Sequence, residues 1–116
     1  GKLLVEAVDE LIVRHRNQPI IIVQGDHGPK AGLNQDVVQG TDVSQVFPIL
    51  SSYYVPVETR KILYPGITPV NTFRAIFKTN FGMDLPLLED KSYYSSWSEP
   101  LKFTEVTGQL AHRTDN

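Results

Sequence analysis

A chain of 116 residues has room for one domain with a hydrophobic core and not for two. Its hydrophobic fraction of 41% and charged fraction of 21% are those of an ordinary globular protein, and a net charge of −2 without any basic stripe excludes a nucleic-acid-binding footprint. The lack of cysteine excludes disulfides and thiolate chemistry, and no apolar run approaches the ~20 residues that span a bilayer.

The chain opens on Gly1-Lys2 rather than methionine, as expected either of residues added during cloning or of a segment cut from a longer protein, whose remainder would then hold most of an active site. Glu6, Asp9 and Glu10 interrupt the apolar start, which excludes a secretory signal. Leu4, Val8, Leu11 and Ile12, flanked by Leu3 and Ala7, recur at helical spacing, and Glu10 and Arg14 form an i,i+4 pair. This spacing predicts a helix over residues 2–15, closed by Asn17 and Pro19.

Next comes Pro19-Ile20-Ile21-Ile22-Val23-Gln24-Gly25-Asp26-His27-Gly28-Pro29. Four consecutive β-branched residues predict a strand covered on both faces, as in a mostly parallel sheet. Gly25 and Gly28 bracket an Asp-His pair where the backbone must turn and leave room beside it. In open α/β sheets ligands bind at the carboxyl ends of strands, which makes this the expected seat of any chemistry.

Residues 29–45, with two glycines and little periodicity, read as a long loop. Residues 46–57 (VFPILSSYYVPV) are rich in β-formers, but Pro48 and Pro56 confine them to a short or edge strand. LYPGITP at residues 63–69 is a turn cluster. Thr68 and Pro69 then cap and open a helix over residues 70–81, with Phe73, Ile76, Phe77 and Phe81 as its expected buried stripe and Gly82 as its stop. A final strand is expected at residues 101–106, with a loose end after Gly108. The whole reads as one unit over residues 1–108 followed by a flexible tail, 109–116.

A carboxylate and an imidazole side by side at a strand end can both bind a divalent cation, so Asp26 and His27 are the candidate metal ligands. Lys30, just past the turn, either contacts an anionic substrate or is an ordinary solvated loop lysine, the reading favoured here. His15 ends a helix, where the dipole favours a cation, and His112 lies in a polar tail; both are left out of the site. Arg74 could reach a phosphate but reads better as a surface residue whose stem lies along its helix. Asn71 reads as local support near the helix start. Tyr53, Tyr54, Tyr93, Tyr94 and Trp97 read as packing residues rather than a substrate platform.

The order of IIIVQGDHGP, a variable loop, VFPILSSYYVP and ITPVNTFRAIFKTNFG resembles the C-terminal part of alkaline-phosphatase-superfamily enzymes, nearest to the sulfatase and lipoteichoic-acid-synthase branch. The likeness covers roughly residues 2–86, and only Asp-His-Gly is sharply specific. It implies an α/β fold, a partial alkaline-phosphatase-like domain of mostly parallel strands with flanking helices. Asp26 and His27 would be two ligands of a catalytic divalent cation (Mn, Zn, Mg or Ca), with Gly28 allowing close packing beside it. The implied partners are the remainder of the catalytic domain and a phosphate or sulfate ester; self-association of this segment is also expected through an exposed strand edge. The implied parent is bacterial and membrane-anchored with an extracytoplasmic catalytic domain, the segment itself being soluble. Gln24-Gly25 departs from the branch, where Ser more typically precedes the Asp, and no cysteine or upstream Asp/His cluster can replace the missing nucleophile and ligands. Two other expectations stay open: a non-catalytic interaction module in which Asp-His-Gly is only a tight turn, and a degenerate pseudoenzyme.

Overall fold

Ile21–Gln24 (β1) forms the strand that its β-branched run predicts, but it pairs antiparallel with Ser51–Tyr54 (β2), in the register Ile21↔Tyr54 through Gln24↔Ser51. The structure is a computed structural model and describes residues 1–15 and 17–110. The expectation of a mostly parallel sheet is thereby corrected. A run of β-branched residues signals burial, not strand direction, and here the chain doubles back. The pairing continues past β1, with Gly25 N–H donating to Leu50 O (2.9 Å) and Gly28 N–H to Val46 O (3.0 Å). Nor is β1 covered on both faces: Ile21, Ile22 and Val23 are half-buried and Gln24 is exposed, because β2 is the only strand beside it among the described residues.

Before β1 stands Lys2–Arg14 (α1), one residue shorter than predicted. Glu10 and Arg14 pair across one turn as expected. The apolar stripe, however, meets almost nothing: α1 has no buried residue, and only Val8 and Ile12 are half-covered. Just beyond it, Gln18 Nε2 donates to Val55 O at 3.0 Å, tying this part of the chain to the end of β2.

The predicted loop 29–45 is more organised than its composition suggests. Thr41 Oγ1 donates to Asn34 O and accepts from Asn34 N–H, both at 2.9 Å, and the loop ends in one helical turn, Val43–Val46 (α2). That turn takes Val46 out of the strand expected over residues 46–57; only Ser51–Tyr54 is strand, and the segment closes in a second short helix, Val57–Arg60 (α3), capped by Pro56.

Pro69–Phe81 (α4) begins and ends as the sequence predicts. Thr68 Oγ1 accepts from Asn71 N–H, Pro69 occupies the first turn, and Gly82 takes the left-handed conformation (φ 64°) that closes the helix. Its buried face is a correction. Ile76 is buried, but Phe73, Phe77 and Phe81 are exposed and stack on one another as a ladder, with ring centroids 6.3 and 5.9 Å apart. The buried positions are Asn71, Thr72, Ala75 and Ile76. Polar residues are tolerated there because each has partners: Thr72 Oγ1 donates to Thr68 O at 3.1 Å, and Asn71 bonds to residues beyond the helix; the buried Thr59 of α3 is likewise satisfied, sharing a 2.7 Å hydroxyl contact with Thr79 and accepting from Asn80 Nδ2 at 2.8 Å.

The final strand is also shorter than expected. Tyr93–Tyr94 (β3) and Thr104–Glu105 (β4) form a two-residue antiparallel ladder, and Lys102 N–H turns back to Glu99 O (3.0 Å) where strand was predicted. Thr107–Leu110 (α5) follows, with Leu110 packed on the core; His112 and the rest of the tail lie outside the described residues. That core is small: Val43, Tyr94 and Val106, with Leu33, Val38, Phe47 and Leu110 against it. The architecture is a mixture of helices and two small antiparallel sheets, α/β in the general sense. The chain exposes 8729 Å², where a folded monomer of 13.0 kDa exposes about 6,300 Å². Its radius of gyration is 16.8 Å against about 13 Å for a domain of this length.

Candidate functional site

Two ladder bonds, at Gly25 and Gly28, pin the base of a short excursion from which Asp26 and His27 project. Gly28 is buried, and what it makes room for is backbone: a Cβ there would lie 2.4 Å from Val46 O and 2.6 Å from Pro48 O. Only glycine allows the chain to pass this close to residues 46–48. Gly25 is under no such constraint, its nearest neighbour being His27 O at 3.5 Å.

His27 Nδ1 lies 2.7 Å from Gly28 O. A carbonyl can only accept, so Nδ1 carries the proton and the neutral ring keeps its Nε2 lone pair free, the arrangement in which a backbone carbonyl orients a metal-binding histidine. Nε2 is 3.7 Å from Asp26 Oδ1. Two donors each about 2.1 Å from one tetrahedral ion would sit about 3.4 Å apart, so this spacing suits a shared cation. It suits equally an ion pair with the imidazolium. Both side chains face solvent, Asp26 at 90% exposure and His27 at 53%. Among the described residues no group of three or more His, Asp or Glu gathers to complete a coordination shell. The donors therefore fit one side of a divalent cation and leave the other side to groups elsewhere.

Beside the pair opens a pocket of about 340 Å³. Asp26, His27 and Lys30 supply its polar rim, and Leu33, Phe47 and Ile49 its apolar walls. Lys30 is exposed and lines the same hollow as the pair.

No protein-family model matches the chain, and no curated protein or solved structure matches it. Its chemistry is therefore read from its own residues.

The remaining candidates fall away from this site. His15 caps the C-terminal end of α1 and is exposed. Arg74 donates from Nε to Pro86 O at 2.7 Å, which ties the chain after α4 back onto the helix. Tyr94 is buried, with its hydroxyl donating to Asn34 O at 2.5 Å, and Tyr93 packs edge-on against Phe103 with centroids 6.4 Å apart. Tyr53 touches Ser51 and Thr72 through its hydroxyl, and Tyr54 is half-buried in β2. Trp97 is 82% exposed. None of the five lines the pocket; Phe47 is the aromatic residue there.

Asp90 is a residue that the sequence reading missed. It accepts from Thr68 N–H (2.8 Å), Thr68 Oγ1 (2.7 Å) and Asn71 Nδ2 (2.9 Å), and on its other oxygen from Tyr64 Oη (2.5 Å). Burial pushes its carboxyl up, but hydrogen bonds from Thr68, Tyr64 and Asn71 outweigh that and hold it at about 2. Asn71, fully buried, also donates to Leu88 O and accepts from Leu88 N–H. This cluster latches the segment after α4 to the start of that helix, and is structural. Its sequence signals were Thr68 as a cap and Asn71 as support near the helix start; nothing in the spacing pointed to a carboxylate 22 residues on.

Proposed function

We propose that the chain is the C-terminal portion of a metal-dependent, sulfatase-like hydrolase or phosphotransferase acting on phosphate or sulfate esters, with Asp26 and His27 as two ligands of a divalent cation. The observation that carries this reading is the pair itself: an imidazole fixed by Gly28 O with Nε2 3.7 Å from Asp26 Oδ1, at a strand end beside a pocket. The resemblance over residues 2–86 supports it. So does the surplus of exposed surface, which suits a segment whose apolar faces belong against the rest of a catalytic domain. The remaining ligands, the nucleophile and the membrane anchor would lie in that remainder; no described helix is long and apolar enough to cross a membrane. A mixed nitrogen and carboxylate donor set favours Zn²⁺ or Mn²⁺ over the oxygen-preferring Mg²⁺ and Ca²⁺. When bound, such a cation polarises an ester oxygen and offsets the charge that develops there. This chain's own residues contribute the orientation of the imidazole, through the Gly28 carbonyl, and a cationic rim at Lys30.

Calorimetric titration with Zn²⁺ and Mn²⁺ tests the ligand assignment. The chain should bind weakly, as two ligands do, and Asp26→Ala or His27→Ala should abolish binding. Alone it should hydrolyse neither aryl phosphates nor aryl sulfates. In the longer protein either substitution should lower kcat/KM by more than about 100-fold, beyond the 10–100-fold that loss of a mere supporting group brings. Wild-type activity in both variants would refute the assignment. A second reading, a non-catalytic interaction module or pseudoenzyme with Asp-His-Gly as a turn, draws on the exposed apolar faces of α1 and α4; it requires metal binding to be indifferent to both substitutions.

A further inference from the structure

We infer that the hollow beside Asp26 and His27 is a specificity subsite for the apolar part of the ester, so that favoured substrates carry a ring or short acyl group directly next to the phosphate or sulfate. This rests on the metal-ligand reading of the pair and names what that site selects. Asp26, His27 and Lys30 are the charged and polar residues lining the pocket, and Leu33, Phe47 and Ile49 line it with apolar surface. Leu33 and Phe47 also pack against the Val43, Tyr94 and Val106 cluster, so the core holds these walls in place. A sugar seated here would lose water from its hydroxyls without regaining partners. An amphiphilic ester loses nothing of the kind: its anion meets the cation and the lysine, and its apolar group displaces water from the walls. Size narrows the class further. The pocket, about 340 Å³, stands at the lower end of small-molecule sites, and a cavity of about 150 Å³ holds benzene. One ring with a short substituent therefore fits, and a long chain would project into solvent.

Phenyl phosphate and methyl phosphate carry the same anion and differ in the apolar group, which makes them the probes. Each is titrated into the full chain with Zn²⁺ present, with backbone amide shifts as the readout. Phenyl phosphate should bind roughly tenfold more tightly than methyl phosphate and should move the amides of Leu33, Phe47 and Ile49. Ile49→Ser should bring the ratio near one while methyl phosphate affinity stays unchanged; Ile49→Thr, which keeps the β-branched shape, serves if the serine variant does not fold. Lys30→Ala should weaken both probes alike. Equal binding of the two probes, no binding of phenyl phosphate, or a phenyl advantage that survives both Ile49 variants overturns the subsite, even where Zn²⁺ shifts His27. If Zn²⁺ leaves His27 unmoved, the ligand reading fails instead, and the phenyl-to-methyl ratio without zinc still decides the subsite.

Discussion

Gly25 and Gly28 look alike in the sequence and do different work in the fold. A methyl group on Gly28 meets two backbone oxygens that only a shift of the chain could clear, whereas one on Gly25 meets ordinary contacts. Gly28→Ala should therefore cost about 1–3 kcal/mol, as overpacking does, and Gly25→Ala well under about 1 kcal/mol. Urea denaturation at unchanged m-value separates the two. Asp90 makes a prediction about acid. Its folded carboxyl titrates at about 2 against an ordinary 3.8, so the folded state binds the proton less readily than the unfolded one. The resulting stability is present above pH 3.8 and is lost as pH falls through 2; allowing for solvent screening it is about 1 kcal/mol. Asp90→Asn should flatten that part of the stability–pH curve, measured by urea midpoints between pH 5 and pH 2. The candidate pair could be picked out because Asp-His-Gly is local. Asp90 could not, because its partners come from Tyr64, Thr68 and Asn71, and no local pattern encodes a latch of that span.

At the level of elements, what the sequence discloses is what neighbouring residues decide. Thr68, Pro69 and Gly82 set the ends of α4 through local hydrogen bonds and backbone angles, and those ends fall where the sequence places them. The buried face is decided by what lies across from it. Phe73, Phe77 and Phe81 have the periodicity of a core stripe, yet the helix turns Asn71, Thr72, Ala75 and Ile76 inward, against α3 and the latch. Two truncations on the same helix measure this choice. Ile76→Ala should cost about 2–4 kcal/mol as a core truncation, and Phe77→Ala less than about 1 kcal/mol because its ring is already wet. Equal losses would restore the phenylalanine stripe as the core. Strand direction escaped the sequence for a related reason: Ile20 to Val23 would suit a parallel or an antiparallel neighbour, and only the path of residues 46–50 beside Gly25 and Gly28 selects the second.

Taken whole, the molecule buries little for its length. Among the described residues six hydrophobic ones are buried, while leucines, valines and phenylalanines of α1 and α4 face water. Because denaturant sensitivity follows the area exposed on unfolding, the chain should unfold with a urea m-value near or below about 1 kcal/mol/M, the floor for small domains. A steep transition in equilibrium denaturation would mean that those faces are covered in solution. The small core also explains how far fold class could be read from composition: ordinary hydrophobicity announces a globular domain but cannot say whether its apolar residues face one another or a neighbour.

Trp97, the only tryptophan in the chain, stands 82% exposed on its loop. As a fluorophore it is already in water in the native state, so its emission carries almost no information about unfolding. It is instead an optical sensor of coverage, silent while the chain is alone and shifting to the blue when another surface closes over that loop.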